Sequence, residues 1–143
     1  LILDGELLHA LKFAAERGVD VSIIMPGIPD KKSAYYLAKT YYPTLLASGV
    51  KIYEYTPGFV HAKIFVSDNS RAVVGTINLD YRSLYHHFEC ATYLYRTSSV
   101  VSIEEDFQAT KAKCHRVSVA EIENLPFHQK ALGLLTRLVA PLM

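Results

Sequence analysis

His61 and Lys63 place an imidazole and an ammonium two residues apart, and Thr76 and Asn78 repeat that spacing with a hydroxyl and an amide. Along a β-strand, residues i and i+2 share a face. A strand from about His61 to Ser67 therefore aims His61 and Lys63 into one pocket, which Thr76 and Asn78 reach from a neighbouring segment. Such a set is suited to a phosphate. Lys63 brings a point charge, and Thr76 and Asn78 bring hydrogen bonds to non-bridging oxygens. His61 is the group able to attack or protonate near neutral pH. A lone histidine is most often a satisfied core residue. Lys63 changes that reading, because a buried lysine needs an anion beside it. Gly75, just before Thr76, permits close backbone approach or a strained turn.

Two carboxylates accompany this set. Asp68 lies seven residues after His61, in Asp68-Asn69-Ser70, where turn chemistry alone explains it. Glu89 falls between Phe88 and Cys90 at the head of an apolar segment running to Tyr95. There it must find a partner or face water at a sheet edge. His86 and His87 are adjacent and point apart on either a helix or a strand, so both cannot serve one site. Arg82 suits a lipid phosphate or a surface ion pair. His9, His115 and His128 carry no supporting pattern. Tyr35, Tyr36, Tyr41 and Tyr42 read as half-buried packing, with an aromatic rim at a membrane-facing pocket as the alternative.

The elements that must position these groups alternate between helix and strand. Asp4 caps a helix to about Arg17, with Gly18 as its stop. Val19 to Met25 is a continuous apolar strand, and Pro26 to Pro29 a turn. A helix starts near Lys31, breaks at Pro43 and resumes to Ser48, before a strand from Val50 to Tyr55. Strands from His61 to Ser67 and Arg71 to Gly75 form a hairpin, and Glu89 to Tyr95 is another strand. Helices follow over Ser99 to His115, Val119 to Asn124, and from Pro126 to Leu142. This alternation predicts an α/β fold with some parallel pairing. Phe127, Ala131, Leu134, Leu135, Leu138 and Leu142 form an apolar stripe on the last helix. It either covers the domain's own core or rests on a bilayer.

At 143 residues, half of them hydrophobic, the chain is one domain's worth with ample material for a core. A net charge of +1 argues neither for nor against nucleic acid. Two cysteines form neither a metal-ligand spacing nor a disulfide framework, so a reducing compartment is the default. No metal-ligand set is evident. No apolar run approaches the ~20 residues needed to span a bilayer, and no signal peptide is visible. The chain opens without Met on the apolar Leu1-Ile2-Leu3, which reads as a fragment whose upstream part is missing.

The pattern H-x-K-x4-D-x6-G-T-x-N, from His61 to Asn78, resembles the HKD motif of the phospholipase D superfamily. Gly75-Thr76-Ile77-Asn78-Leu79-Asp80-Tyr81-Arg82-Ser83, Phe88-Glu89-Cys90, Ile52-Tyr53-Glu54-Tyr55 and Asp106-Phe107-Gln108 are similar to bacterial cardiolipin synthases. The whole of 1–143 resembles the C-terminal half of such an enzyme, a single catalytic domain half of a longer two-motif protein.

That resemblance implies a mixed β-sheet sandwiched between helices. It implies phosphatidyl transfer between two phosphatidylglycerol molecules, giving cardiolipin and glycerol through a phosphohistidine, without metal or cofactor. His61 would be nucleophile or acid, Lys63 with Thr76 and Asn78 would hold the phosphate, and Asp68 would be a hydrogen-bonding member of the motif. Glu89 would bind the second imidazole nitrogen of His61, as the third member of a catalytic triad does. The implied partners are phosphatidylglycerol, an anionic membrane surface, and a second HKD motif from a missing N-terminal half or another copy of the chain. Nucleic acid is not implied, and the implied location is the cytoplasmic side of the bacterial cell membrane. A one-motif phosphodiesterase or nuclease acting as a homodimer is the alternative within the superfamily. A non-catalytic interaction module is the alternative outside it, disfavoured by the intact His61, Lys63, Asn78 and Glu89.

Overall fold

A computed structural model of the chain describes residues 1–142. The first helix, α1 (Gly5–Glu16), begins as the sequence directs. The Asp4 carboxylate accepts the Leu7 N–H at 2.7 Å, and Gly18 leaves the helix at φ +93°. The two apolar runs become β1 (Ser22–Pro26) and β2 (Lys51–Tyr55), paired in parallel with Ile23 opposite Ile52. Between them lie α2 (Lys32–Lys39) and α3 (Tyr42–Ala47), with Pro43 inside the first turn of α3, where its missing N–H is harmless.

The next chain segment builds a separate sheet. β3 (Lys63–Ser67) and β4 (Arg71–Gly75) form the expected hairpin. Its turn has Asp68 at φ 52° and Asn69 at φ 50°, with the Ser70 N–H bonded to the Ser67 carbonyl at 3.1 Å. Aspartate and asparagine are the residues that accept left-handed backbone most readily after glycine. β5 (Ala91–Tyr95) pairs antiparallel with the other side of β4. A single π-helical turn, Arg82–His86, occupies part of the segment between Asn78 and Glu89.

Helix α4 (Ser98–Lys111) ends earlier than the pattern predicts. Cys114–Arg116, expected in part as helix, is instead β6, antiparallel to β2. The reason is tertiary: the free edge of β2 offers unpaired backbone groups that this stretch satisfies. α5 (Val119–Glu123), α6 (Phe127–Arg137) and a 3-10 turn at Ala140–Leu142 complete the described residues.

The α/β fold is as expected, with its strands set in two small sheets. β1-β2-β6 is mixed, and β3-β4-β5 is wholly antiparallel. An isolated parallel bridge between Ile2 and Asp80 ties the second sheet's trailing segment to the start of the chain.

The core lies around the first sheet, where Leu37, Tyr42, Leu45, Val50 and Ile52 are fully buried. Buried with them is Glu54, which takes Lys39 at 3.3 Å and the Tyr42 hydroxyl at 3.4 Å, with the Tyr35 hydroxyl also at 3.4 Å. Of the tyrosine cluster, Tyr41 and Tyr42 are core packing, and Tyr35 and Tyr42 hydrogen-bond this carboxylate. The leucine stripe of α6 is not core packing. Leu134 is 59% and Leu138 81% exposed, and the helix meets α2 through its Gly133 side instead.

Candidate active site

Three strands of the second sheet end side by side, with Lys63, Gly75 and Ala91 in one cross-strand row. Gly75 makes this possible. A Cβ there would lie 2.3 Å from the Cys90 carbonyl oxygen and 2.5 Å from the Ala91 Cα, so any other residue forces β4 and β5 apart. Of the two roles glycine allowed here, close approach is the one used.

Past the row, Thr76 and the residues leading into β5 lock together. The Thr76 N–H donates to the Cys90 carbonyl at 3.0 Å, and the Cys90 N–H donates to the Thr76 hydroxyl oxygen at 3.1 Å. The Thr76 hydroxyl donates to the Glu89 carboxylate. That bond, with Ser83, His87 and Lys63 nearby, holds the Glu89 carboxyl below the usual carboxylate range.

Lys63 opens β3 half-buried, its ammonium donating to the His61 carbonyl at 2.6 Å. Burial pushes its pKa down, against the opposing pull of Asp80 and Glu89. Among the described residues no carboxylate lies within ion-pair distance of it. A partly desolvated cation held by a carbonyl alone is a group that an incoming anion would satisfy.

His61 lies outside β3, which begins two residues later than expected. It is exposed, with its ring stacked on Phe59 at a centroid separation of 5.6 Å. The strand periodicity that would align His61 with Lys63 therefore does not operate. Nor does Glu89 hydrogen-bond His61, as the resemblance implied; it bonds Thr76. Two local causes explain this. β5 begins only at Ala91, which leaves Glu89 to the Thr76 contact, and the imidazole turns onto Phe59.

Asn78 is exposed two residues beyond Thr76. Asp68 is not part of this cluster. It follows the opposite end of β3, and Lys63 to Ser67 alone spans roughly 13 Å at strand rise. Its carboxylate accepts from the Ser67 hydroxyl at 2.9 Å and lies 3.9 Å from Arg71, a turn residue's contacts.

Two residues without a role in the sequence reading belong to the site. Asp80 accepts the Ser83 N–H at 2.8 Å, starting the π-helical turn, and its charge acts on Lys63. Ser83 is buried and is among the groups that hold the Glu89 carboxyl down. The signal was present as Asp80-x-x-Ser83, an acidic cap three residues ahead of the N–H it takes. Among the described residues no group of three or more His, Cys, Asp and Glu side chains is placed to hold a metal ion.

The family described as cardiolipin synthase, PLD-like domain, matches residues 1–111. A Streptococcus mutans protein described as uncharacterized is 62% identical over all 143 residues, which cover 31% of its length. Cardiolipin synthase of Alkalihalophilus pseudofirmus is 40% identical over 99% of the chain, and cardiolipin synthase 2 of Bacillus anthracis 38% over 99%; the chain covers 28% of each. The chain thus spans less than a third of the length of these relatives. Among solved structures, Nuc of Salmonella typhimurium, a phospholipase D family member, shares the fold with a TM-score of 0.68 at 21% identity. The match covers 80% of this chain and 75% of that one.

Proposed function

The chain belongs to the cardiolipin synthase, PLD-like domain family, and on that premise we propose that it supplies one of two half-sites for phosphatidyl transfer between phosphatidylglycerol molecules. The observation that carries this reading is the Lys63–Gly75–Ala91 row. It gathers the Lys63 ammonium, which has no ion-pair partner among the described residues, with the Thr76 hydroxyl and the Glu89 carboxylate, and the ammonium holds the carbonyl of the exposed His61.

The chemistry runs in two displacements at phosphorus. One imidazole nitrogen forms a P–N bond as the bond from phosphorus to the glycerol oxygen breaks, and glycerol departs with a proton from an acid. A hydroxyl of a second phosphatidylglycerol then forms the new P–O bond, returns a proton to that acid, and frees the imidazole. Attacking and leaving groups lie on opposite sides of phosphorus, so one histidine cannot fill both roles. His61 is either nucleophile or acid, and a second HKD motif supplies the other. Lys63, Thr76 and Asn78 neutralise and hydrogen-bond the non-bridging oxygens. Glu89 orders Thr76 and reaches an imidazole only after its own side chain turns. Relatives more than three times this chain's length favour a second motif in the same polypeptide over a second copy of the chain.

The test is phosphatidylglycerol turnover by the longer protein, read as glycerol release together with cardiolipin formation. His61→Ala is expected to lower both by on the order of 10²-fold or more, and the 143-residue chain alone is expected to be nearly inactive. Cardiolipin formation by the His61→Ala protein within a few-fold of wild type removes His61 from the mechanism.

A further inference from the structure

Helix α6 is clamped in one rotation. A Cβ at Gly133 would lie 2.6 Å from the Tyr36 carbonyl oxygen, so this face approaches α2 only as glycine. Arg137 lies over the Tyr41 ring at 4.7 Å. With that side fixed, Phe127, Leu134, Leu135, Leu138 and Leu142 are all well exposed, and the helix cannot roll to bury them.

The stripe is continuous with the candidate site. The His86 ring donates to the Pro141 carbonyl at 3.0 Å, joining the C-terminal turn to the π-helical turn. That turn presents Tyr85 and leads through the fully exposed Phe88 to Glu89. Apolar surface of this extent is rare on a soluble face without a partner.

We propose that this surface, from α6 across the π-helical turn to Phe88, seats on an anionic lipid bilayer and holds the half-site at the headgroup layer. The choice of lipid rests on the phosphatidyl-transfer reading; the docking itself does not. On the α6 part of this surface, charge favours lipid as the occupant. No Asp or Glu occurs after Glu123, while Lys130 and Arg137 border the stripe on one side by the repeat of about 3.6 residues per turn. Apolar stripes edged by Lys and Arg are what anionic membranes bind. The exposed apolar surface on β5 has a different character. Tyr93 and Tyr95 lie on β5, an edge strand with free backbone groups, which suits a protein neighbour. Because α6 is already folded and clamped, docking requires no ordering of the helix.

The experiment places a reporter in the stripe of the complete protein. This chain contains no Trp, so the difference in emission between Leu138→Trp and its parent reports one site even if the rest of the protein contributes others. The expected result is a blue shift on adding phosphatidylglycerol vesicles, with quenching by brominated acyl chains, and at least tenfold weaker partition to phosphatidylcholine vesicles. Emission already blue and unmoved by vesicles means the rest of the protein covers the stripe, and overturns the proposal. Emission that stays red and unquenched overturns it as well. A second arm compares substrates. The Leu134→Gln/Leu138→Gln protein is expected to lose at least tenfold of its turnover on vesicles, yet stay within threefold on short-chain monomeric phosphatidylglycerol. Equal loss on both overturns docking. Absence of turnover in the parent overturns the phosphatidyl-transfer reading, and the emission arm still decides docking.

Discussion

Glu54 and Glu89 are both carboxylates set in apolar stretches, and the two sheets treat them in opposite ways. In the first sheet Glu54 is buried under helices, with a lysine and two tyrosine hydroxyls taking its charge. In the second sheet Glu89 is only partly covered. It is held by Thr76, and stands near a lysine that it does not neutralise by contact. The first arrangement pairs the buried charge and serves stability. The second leaves a cation and an imidazole open, which a binding site requires. The division follows packing: the core lies around β1-β2-β6, whereas β5 on the other sheet is largely exposed.

The largest expected effect separates the two regions outright. His61→Ala in the longer protein should lower turnover by ~10²-fold or more while leaving the melting temperature within about a degree, because an exposed ring is lost. A matching fall in melting temperature would mean that His61 belongs to the structural half of the comparison. Glu54→Ala is the converse. Stranding Lys39 without its buried partner should cost about 3 kcal/mol, read as lowered thermal stability, with any loss of turnover tracking the unfolded fraction.

Gly75→Ala probes the join between packing and chemistry. Its Cβ meets backbone that cannot swing aside, so overpacking should cost roughly 1–3 kcal/mol. It should also lower turnover of the folded fraction, because the Lys63–Gly75–Ala91 row must open. A folded variant of undiminished turnover would show that the row does not position the site.

The smallest effect belongs to a surface cap. Glu121 reaches back to the Ser118 N–H at 2.6 Å and meets His115 at 2.6 Å, which holds its carboxyl down at about 2. A depressed carboxyl stabilises the fold fully above its unfolded pKa, near 4.5, and less as pH falls toward 2. Glu121→Gln should therefore cost about 1 kcal/mol or less at neutral pH. Melting curves of variant and parent should converge as the pH is lowered through that window. Curves that stay parallel would assign the loss to something other than the carboxylate.

Much of the fold was legible because local chemistry and final packing agree. Asp4 caps, Gly18 stops, the runs ending at Pro26 and Tyr55 are paired strands, though half-buried rather than buried throughout, and Asp68-Asn69 turns a hairpin. What the pattern misread or left open lay where a distant segment decides. Cys114–Arg116 is strand because β2 offers it an edge. The α6 stripe is outward because Gly133 fits against Tyr36. The site shows the same split. Residue types and spacing alone singled out His61, Lys63, Thr76 and Asn78 as a phosphate-directed set, since only those groups combine charge, hydrogen bonding and a titratable nitrogen. Tertiary structure decided the geometry: a strand that begins at Lys63 rather than His61, a Glu89 bound to Thr76, and an Asp80–Ser83 cap behind them. Spacing encodes direction only inside a regular element, and the pairing of β3, β4 and β5 sets where each element begins.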